Sequence, residues 1–558
     1  MSAVVLGQQT YEWNKLDWKR IETSVFKLQK RIYRAEQRKD VKTIRKLQKL
    51  LISSWSAKLL AVRRITQDNQ GKKTAGVDGV KSLVPQQRIK LAENLSLNEK
   101  ATPVRRVWIP KAGKEEMRPL GIPTIAERAK QTLVKLALEP VWEAKFEANS
   151  YGFRPGRSCW DAIGAIYLNI RLKSKWVLDA DIAKCFDRIN HQALLKKINA
   201  SPKITRQIKA WLEAGVLDGE KLFPTKEGAP QGSSISPLLA NIALDGMETI
   251  IRQAFTKSKQ LKILPVVIRY ADDFVCIHED REIVEKCQQI ISEWLAKMGL
   301  ELNLKKTRIT HTLKKSEQEA GFNFLGFNIR QYETGKNRSG KSAKGERLGF
   351  KTLIKPSKES VKRHLEKIGQ IIRKMRPAKQ EELIKELNPV IRGWTNYYSK
   401  VCSGRTFQQL SYLTWQKLYA WAISRHRNKT KKWTVSRYWK VDEGKGWDFA
   451  TTDNEIRLIR HTETPIIRHA KIQSQRSPYD GDWIYWSTRR GYFPEVKPKV
   501  AKLLKRQKGK CRWCKHYLRE GDLLEIDHIK PKRGNRYKNL QILHRHCHDV
   551  KTAQDRYG

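Results

Sequence analysis

Two parts of the chain have apolar residues spaced as on one face of a helix. Over residues 11–65, Leu, Ile and Val recur every three or four positions between Lys and Arg, which predicts amphipathic helices with one basic face. The same spacing returns over about 355–425 and predicts a bundle of three helices. Residues 331–349 are rich in Gly, Lys and Ser and predict a loop or linker. Strand patterns dominate the part of the chain between the two helical regions.

Two apolar runs, 263–268 and 274–277, flank the tetrapeptide Y-A-D-D, which predicts a β-hairpin with Asp272 and Asp273 at its tip. Another apolar strand, over residues 176–182, ends in Asp181. Adjacent aspartates alone are typical of a solvated acidic turn. A strand-end carboxylate together with a hairpin-tip carboxylate is instead what two-metal phosphoryl transfer requires, because carboxylate oxygens bind hard divalent cations.

A third block lies between these two acidic elements in the sequence. It reads G-A-P-Q-G-S-S-I-S-P-L-L-A-N over residues 228–241. With D-I-x-x-C-F-D at 181–187 and Y-A-D-D at 270–273, it resembles the palm of a reverse transcriptase. More narrowly, the chain resembles the proteins encoded inside mobile group II introns, and the resemblance covers nearly its whole length.

This resemblance implies a multidomain α+β protein built as a right-hand polymerase. The expected parts, in chain order, are a helical N-terminal extension (1–90), the fingers and palm (91–335), a helical thumb or maturase domain (350–425), a basic DNA-binding region (426–500) and an endonuclease domain (501–558). The N-terminal extension is expected to bind intron RNA and template.

Within the palm, the resemblance assigns roles residue by residue. Asp181 and Asp272 are expected to hold two Mg²⁺ ions, with Asp273 in support. Phe186 should lie under the sugar and favour deoxynucleotides, although core packing is the alternative for this ring. Gln231 should lie beside the nucleotide, in a loop whose small residues allow close approach of the backbone.

Residues 104–123 predict two strands joined by a turn, with several basic side chains. A basic hairpin is usually only a solvated hairpin. The resemblance to the fingers assigns Lys111 and Arg118 to the incoming triphosphate, where Arg offers a bidentate fork and Lys a point charge. In the next block, Y-G-F-R-P-G-R-S, Arg154 and Arg157 are expected on template phosphates.

Further basic residues are candidates for other phosphates. Lys305 or Lys306 could neutralise the leaving pyrophosphate, although a basic strand end needs no such role. The block R-G-W-T-N-Y-Y, beginning at residue 392, resembles a block of the maturase domain. Arg392 and Lys400 are expected to bind RNA phosphates there, whereas Trp394 is expected to pack the helices together.

The last sixty residues carry separate evidence. They contain a C-x-x-C pair and an H-x-x-C pair with the spacing of a tetrahedral zinc site, namely Cys511, Cys514, His544 and Cys547. His546 and His516 are alternative ligands. A closed zinc site of this kind usually stabilises a small fold and does no chemistry itself.

Other residues between and beside these pairs follow the order of the HNH nuclease motif, which they resemble. In that motif a β-hairpin and a helix surround one catalytic metal. By that resemblance, His528 is the general base that activates water. Asp527 and His548 bind a divalent metal, expected to be Mg²⁺, and Asn539 orients the hairpin. A zinc knuckle that only binds DNA is the alternative for either half of the pattern alone.

Net charge points to the class of partner. The chain has 112 Lys and Arg against 57 Asp and Glu, a formal net charge of +55, which implies a large polyanion rather than a small acidic substrate. No polybasic segment adjoins an amphipathic or lipidated anchor, so nucleic acid is favoured over a membrane surface. The 18 Trp and 17 Tyr supply faces on which bases can stack as well as core volume.

The location is expected to be a prokaryotic cytoplasm or nucleoid. No apolar stretch approaches the ~20 residues that span a bilayer, and residues 1–18 lack the apolar core of a signal peptide. The eight cysteines are scattered, apart from the last three, so a disulfide framework is not expected and a reducing compartment fits.

Together these features predict a multifunctional group II intron-encoded protein that is a reverse transcriptase, a splicing maturase and a site-specific DNA endonuclease. It would bind its intron RNA, nick target DNA and extend the nick with dNTPs, as in retrohoming by target-primed reverse transcription. One alternative is a maturase-only splicing factor, against which intact Asp181, Asp272 and Gln231 argue. Another is a retron or defence-type reverse transcriptase, against which the 355–500 region and the HNH tail argue.

Overall fold

The computed structural model describes residues 12–110, 116–256, 263–315, 317, 319–335, 338–342, 344–442, 446–451, 455–473, 475–531, 534 and 536–557. Its first elements are the helices α1 (Trp18–Gln37), α2 (Val41–Ser53), α3 (Trp55–Arg63) and α4 (Pro85–Glu93). Asp17 and Asp40 begin α1 and α2 by accepting hydrogen bonds from the backbone N–H groups of Arg20 and Thr43, each at 3.0 Å. The helices predicted over 11–65 are therefore confirmed for the described residues 12–65.

Residues 104–311 hold two four-stranded sheets and the helices that cover them. In chain order the elements are β1 (Val104–Pro110), β2 (Met117–Ile122), α5 (Ile125–Lys145), α6 (Cys159–Ile170), β3 (Trp176–Asp181), α7 (Cys185–Arg188), α8 (His191–Ile198), α9 (Pro202–Glu213), β4 (Val216–Asp218), β5 (Lys221–Phe223), α10 (Ser236–Ala243), α11 (Met247–Thr256), β6 (Val266–Tyr270), β7 (Asp273–His278), α12 (Arg281–Ala296) and β8 (Arg308–His311).

The first sheet has the strand order β2-β1-β4-β5. β1 and β2 form the predicted antiparallel hairpin, with Trp108 opposite Pro119 and Ile109 opposite Arg118. Trp108 is 49% exposed, and Arg118 is also exposed. The predicted turn of this hairpin, with Lys111, lies outside the described residues.

The second sheet has the order β6-β7-β3-β8, with antiparallel neighbours throughout. Asp181 at the end of β3 lies directly opposite Asp273 at the start of β7. Tyr270 pairs with Asp273 across the β6–β7 hairpin, so Ala271 and Asp272 form a two-residue turn. Ala271 has φ +58°, a left-handed conformation that tight hairpin turns often require. The predicted hairpin with carboxylates at its tip is confirmed.

Both faces of the second sheet are buried, which accounts for its nearly continuous apolar strands. Leu178 and Phe274 face a core cluster shared with α5 and α8–α12. Val177 and Val275 face a second cluster, formed with α6, residues 322–329 and residues 472–493. The carboxylates at the strand ends are thus carried by a framework that is packed on two sides.

The next elements are β9 (Phe322–Phe324), β10 (Phe327–Glu333), β11 (Phe350–Pro356), α13 (Lys358–Lys374), α14 (Gln380–Tyr398) and α15 (Gly404–Arg425). The three helices predicted over about 355–425 are present. The three strands form one sheet in the order β11-β10-β9, and Glu333 pairs with Phe350. Residues 331–333 therefore belong to a strand, and the segment that follows connects two strands of one sheet. That sheet spans the boundary expected between residues 335 and 350.

The stretch 426–506 contains α16 (Lys431–Tyr438), β12 (Trp439–Asp442), β13 (Gly446–Phe449), α17 (Trp483–Arg490) and α18 (Pro498–Arg506). Its apolar side chains divide between two cores. Trp439 and Phe449 pack with α13–α15. Tyr479 and Trp486 belong instead to the second cluster of the acidic sheet, on the side of α6.

Asp161 on α6 anchors the later part of this stretch. Its buried Oδ1 accepts hydrogen bonds from the backbone N–H of Ile472 at 2.7 Å and from the guanidinium of Arg489 at 2.6 Å, and it lies 2.9 Å from His469 Nε2. Burial alone would raise the pKa of the Asp161 carboxyl, but the His469 hydrogen bond and the Arg489 charge outweigh burial and lower it well below its usual range. Residues 469–489 are therefore built into the body that carries the acidic sheet.

The tail, residues 498–557, contains α18 and then β14 (Leu524–His528), β15 (Leu540–His544) and α19 (Arg545–Tyr557). β14 and β15 pair antiparallel, with Asp527 opposite Gln541. Leu503, Leu504 and Leu543 belong to an apolar core within the tail. Among the described residues of the whole chain, no helix combines the length and apolar character needed to cross a bilayer.

Candidate active sites

Three carboxylates converge where β3 ends and β7 begins. Asp181 and Asp273 are opposite each other in register, and Asp272 occupies the adjoining turn. Burial and the charge of Asp181 raise the pKa of Asp272, and burial together with the charges of Asp272 and Asp181 raises the pKa of Asp273 to about 7. Burial and the neighbouring carboxylates both disfavour the ionised forms, and a bound cation would favour them.

Among the residues that the structure describes, Lys306 contacts this cluster. Its Nζ donates a hydrogen bond to Asp181 Oδ2, and Asn303 Nδ2 donates to the same oxygen at 3.3 Å. Burial lowers the pKa of Lys306, but the hydrogen bond and the neighbouring carboxylates raise it on balance. Of the two lysines predicted near the pyrophosphate, Lys306 therefore makes the contact, while Lys305 is exposed. Sequence reasoning missed Asn303.

The turn that carries Asp272 rests on the backbone of Gly152. A Cβ built on Gly152 would lie 2.3 Å from Ala271 N, so no side chain fits there. Asn241 donates to Gly152 O at 2.8 Å and accepts from Arg269 Nη1 at 3.1 Å. Arg269 Nη1 also donates to Ala271 O at 3.2 Å. Three sequence blocks that are far apart along the chain thus meet at one turn.

Phe186 and Gln231 line a cavity of about 210 Å³ between the first sheet and the 228–236 loop. The loop is tied down on both sides. Ala229 N donates to Phe186 O at 2.5 Å, and Gly121 N on β2 donates to Gln231 O at 2.6 Å. Gly228, with φ +84°, passes so close that a Cβ there would lie 2.7 Å from Phe186 O. Phe186 also contacts the main core cluster, so this residue both lines the cavity and packs against the core.

Arg118 is the described residue of the basic hairpin that was assigned to the triphosphate. Its positive charge partly offsets the rise in pKa that burial causes at Asp272. The guanidinium therefore lies within electrostatic range of the acidic cluster, on the side of the first sheet. Lys111, assigned to the same contact, lies outside the described residues.

The template-phosphate prediction is wrong for Arg154. This side chain is only 5% exposed, and it donates to both carboxylate oxygens of Glu143, at 2.8 and 3.0 Å. Arg157 donates to Ala148 O at 2.8 Å, and burial lowers its pKa to about 10. These arginines fix the loop before α6, which is the structural role of buried, hydrogen-bonded guanidinium groups.

Trp394 has the packing role that was predicted. Its ring stacks on His364, with centroids 4.6 Å apart and planes at 13°, inside the bundle of α13–α15. Arg392, two residues earlier, is exposed, and Lys400 is half-exposed. The two side chains proposed for RNA phosphates are thus accessible.

Tyr397 and Tyr398 join α14 to the turn between β9 and β10. Tyr397 OH donates to Leu325 O at 3.0 Å, and Tyr398 OH donates to Gly326 O at 3.1 Å. Leu325 and Gly326 both have positive φ, +50° and +80°. These contacts were missed from the sequence, because adjacent tyrosines on a helix give no signal of a distant turn.

Four side chains of the tail form a metal-type cluster: Cys511, Cys514, His544 and Cys547, whose ligand atoms all lie within 4.8 Å of one another. The nearest approaches to His544 Nδ1 are 3.4 Å from Cys514 Sγ and 3.8 Å from Cys547 Sγ. His544 Nε2 lies 3.4 Å from Asp522 Oδ2. In metal sites, a carboxylate in this position orients the histidine ring that binds the metal. The set of thiols and imidazole suits Zn²⁺.

The alternative histidines stand outside this cluster in the described structure. His546 is exposed and stacks on the ring of His544, with centroids 5.1 Å apart. His516 contributes its backbone carbonyl, which accepts from Cys511 N at 2.9 Å. Of the three histidines considered, the one in the H-x-x-C spacing, His544, is therefore the one whose ring lies in the cluster.

Asp527 and His548 face each other across β14 and α19, with Oδ1 and Nε2 3.9 Å apart. Asp527 Oδ2 accepts from Gln541 Nε2 at 2.7 Å and lies 3.2 Å from Lys551 Nζ. Gln541 and Lys551 were missed from the sequence. Gln541 is opposite Asp527 in the hairpin register, and Lys551 lies one helical turn after His548, so both could have been found once the hairpin was aligned.

Asn539 holds the loop between β14 and β15. Its amide donates to Lys530 O at 2.9 Å and to Gly534 O at 3.0 Å, and its Oδ1 accepts from Lys530 N at 2.9 Å. This geometry agrees with the predicted orienting role. His528, the predicted base, ends β14 one residue after Asp527 and is half-exposed.

Four family models match successive parts of the chain. Their descriptions are N-terminal domain of reverse transcriptase over residues 13–95, reverse transcriptase (RNA-dependent DNA polymerase) over 109–329, group II intron maturase-specific domain over 361–439, and HNH endonuclease over 511–554. The acidic cluster falls in the second match and the cysteine cluster in the fourth. The protein is accordingly a multidomain α/β reverse transcriptase with an HNH endonuclease.

Curated relatives agree with these matches. Protein YkfC of Escherichia coli strain K12 is 31% identical over 313 residues, which cover 49% of this chain and 80% of the relative. Group II intron-encoded protein LtrA of Lactococcus lactis subsp. cremoris is 29% identical over 413 residues, covering 60% and 67%. Maturase-like protein 1 of Euglena gracilis is 29% identical over 396 residues, covering 68% and 76%. The chain thus belongs to the group II intron-encoded proteins, in which a reverse transcriptase and maturase is joined to a C-terminal HNH endonuclease.

Proposed function

We propose that this protein copies its intron RNA into DNA at a nicked target site, by target-primed reverse transcription. The observation that carries the proposal is the register of β3 against β7, which sets Asp181 opposite Asp273 with Asp272 in the next turn. The nearby loop adds a cavity lined by Phe186 and Gln231. Carboxylates beside a small cavity form a site for metal-assisted nucleotide transfer.

The acidic residues fit two Mg²⁺ ions, held by Asp181 and Asp272 with Asp273 in support. Their donor atoms are all oxygens, which Mg²⁺ prefers, and burial together with neighbouring carboxylates raises the pKa values of Asp272 and Asp273 despite the opposing charge of Lys306. When bound, such ions activate the primer 3′-hydroxyl and stabilise the leaving pyrophosphate during attack on the α-phosphate. Lys306 is placed to balance negative charge that develops beside Asp181.

The other assigned side chains position the incoming dNTP. Arg118, projecting from the first sheet, offers a guanidinium fork to the triphosphate, and Lys111 is proposed for the same contact. The ring of Phe186 would lie under the sugar and exclude a 2′-hydroxyl. Gln231 is held through its backbone to β2, so its side chain is presented beside the nucleotide from a fixed loop.

The remaining domains are proposed to bind nucleic acid. Residues 1–90 form the RNA-binding extension, 91–335 the fingers and palm, 350–425 the thumb and maturase domain, and 426–500 the contact to target DNA. Exposed Arg392 and half-exposed Lys400 would meet phosphates of the intron RNA. The net charge of +55 supports long nucleic-acid partners for all of these regions.

Primer extension on an RNA template tests the polymerase proposal. Asp181→Asn and Asp272→Asn should each lower the rate by several orders of magnitude, because the charge that holds the metal is lost. Glu293→Gln, at an exposed position of α12, is the matched control and should extend within about twofold of the wild type, since surface changes away from a site have small effects. A double Asp181 and Asp272 variant that extends like the control would refute the assignment.

The tail is proposed to hold one structural Zn²⁺ in the cysteine cluster and one catalytic divalent ion, expected to be Mg²⁺, between Asp527 and His548. The 3.9 Å separation of their facing atoms suits two donors to one ion. Cys511, Cys514, His544 and Cys547 would hold the zinc, which would link the tail's helices to its hairpin, as in a ββα-metal fold. His528 would remove the proton from the attacking water, and Asn539 would keep the hairpin loop in place.

A nicking assay with the assembled ribonucleoprotein, labelled target duplex and Mg²⁺ tests the nuclease proposal. His528→Ala should abolish the nick while zinc content and primer extension stay normal, because the cysteine cluster is untouched. His516→Ala, which removes a side chain outside that cluster, should still nick. If the wild-type protein nicks no cognate duplex, the nuclease role is wrong and the polymerase role stands.

A further inference from the structure

A second cavity, of about 400 Å³, opens where α6, β11 and the segments 400–402 and 466–469 meet. Trp160, Gly164 and Tyr167 line it from one face of α6, with Ile354 on β11 and Ile466 as further apolar walls. None of the residues that line this cavity belongs to the acidic cluster or to the tail. Its size is that of a pocket for a small organic group rather than for one water molecule.

The rim of this cavity is positively charged. Lys400 and Arg468 both line it, and neither has an ion pair with a carboxylate in the part of the chain that the structure describes. Arg468 is exposed, and its guanidinium carbon lies 5.3 Å from the centre of the Tyr167 ring. His469, by contrast, is already held by Asp161 at 2.9 Å. Two cations without acidic partners next to an apolar cavity favour a ligand with a flat body and an anionic tail.

The walls come from four stretches of chain, and the aromatic and basic side chains that would hold a ligand come from three of them. Trp160 and Tyr167 lie within the reverse-transcriptase match, and Lys400 within the maturase-specific match. Arg468 lies beyond both. Hydrogen bonds close the junction, with Ile467 N donating to Ser399 O at 2.9 Å and Trp160 Nε1 donating to Tyr397 O at 2.8 Å. A ligand seated here would contact all three parts at once.

We propose that this cavity takes one unpaired nucleotide of the intron RNA, with the base against the apolar walls and a phosphate on Lys400 and Arg468. The inference rests on the proposed function, because it assumes that intron RNA is bound. Bases that are splayed out of single-stranded RNA stack on aromatic and guanidinium groups, whereas bases of a target duplex stay paired. The cavity would thus help to recognise folded intron RNA through a single extruded base.

Cys402 provides a natural reporter, since it lines the cavity and is exposed. The remaining cysteines are buried or half-buried, and three of them form the metal-type cluster. The full-length protein would be treated with iodoacetamide with and without its intron RNA, and alkylation of Cys402 would be followed by peptide mass spectrometry. Saturating intron RNA should slow alkylation at least tenfold, while duplex DNA of equal charge should change it less than twofold.

Three results of the alkylation experiment would count against the proposal. Unchanged alkylation while intron RNA is demonstrably bound would overturn the cavity assignment and leave the proposed function intact. A failure of intron RNA to bind at all would overturn both. Equal protection by duplex DNA would refute the assignment to RNA.

Salt dependence gives an independent test. Each phosphate contact contributes about 0.7 to the slope of log affinity against log salt for single strands, so Lys400→Ala with Arg468→Ala, which together remove the contact to one phosphate, should lower the slope by about 0.7. Lys297→Ala, which removes an exposed lysine at the end of α12, should leave the slope unchanged. If the double variant keeps the wild-type slope, the phosphate site on this rim is refuted.

Discussion

Replacing Gly152 by Ala should displace the turn that carries Asp272. A Cβ at this position would lie 2.3 Å from Ala271 N, 2.9 Å from Tyr270 C and 3.1 Å from Ala271 Cα. All three atoms are backbone, so no side chain can rotate away. Relaxing the shortest contact from 2.3 Å to an ordinary 3.4 Å requires a shift of ~1.1 Å between the two segments.

A shift of that size is large for a catalytic group. Misplacing a reacting group by ~1 Å costs about 10²-fold in rate, and overpacking of this kind destabilises by about 1–3 kcal/mol. We therefore expect Gly152→Ala to remain folded with a lower unfolding temperature and to extend a primer about 100-fold more slowly. The loss should persist at saturating Mg²⁺ and dNTP, because filling the site with ligand does not restore the geometry of the turn.

Single-nucleotide incorporation on an RNA template, measured beside thermal unfolding, checks this expectation. Gly393→Ala is the matched control, since Gly393 is exposed in α14 and a Cβ there meets nothing within 4 Å. Alanine at that helical site should stabilise by about 1 kcal/mol and leave the rate unchanged. A Gly152→Ala protein that incorporates within twofold of the wild type would refute the close packing on which the reasoning depends.

Three further outcomes are expected. Burial and the charge of Asp272 raise the pKa of Asp273 to about 7, so protons should compete with Mg²⁺ at this carboxylate. The half-saturating Mg²⁺ concentration should therefore rise about tenfold from pH 6.5 to 5.5 and level off above pH 8. An Asp273→Asn protein with the same pH profile would contradict this expectation. Cys511→Ser should make the tail protease-sensitive and lower its zinc content, since structural zinc contributes folding energy; a protease-resistant tail would exclude the zinc role. Tyr398→Phe removes the hydroxyl that donates to Gly326 O and should cost about 1 kcal/mol of stability and slow primer extension; extension at the wild-type rate would show that the β9–β10 turn holds without it.

The acidic cluster could be predicted because its geometry depends on local patterns. Alternating apolar runs predicted the strands, and a two-residue turn between β6 and β7 left only one place for Asp272. The opposition of Asp181 and Asp273 then followed once both strands entered one sheet. The cysteine cluster could be predicted for a similar reason, since the spacing of Cys511 and Cys514 reflects ligand geometry directly.

Burial of charged residues could not be predicted in the same way. Arg154 stands in the block Y-G-F-R-P-G-R-S, for which contacts to template phosphates were expected, yet its guanidinium donates to the Glu143 carboxylate and to backbone carbonyls instead. The role of Gly152 is equally hidden, because the atom it avoids belongs to Ala271, more than a hundred positions later. Such roles depend on which segments pack together, and sequence periodicity reports only that a segment packs.

The anchoring of Asp161 has a consequence for the order in which the protein can form. Its partners His469, Ile472 and Arg489 follow it by 308, 311 and 328 residues. At a synthesis rate of roughly 10 residues per second, a nascent chain would hold this carboxylate without them for about half a minute. The second core of the acidic sheet also includes Tyr479 and Trp486, so a translation product that stops in the maturase region lacks part of the packing behind the acidic cluster. We therefore expect full polymerase activity to require translation almost as far as the nuclease domain, and a reading frame that is broken earlier to yield a protein with a weakened core.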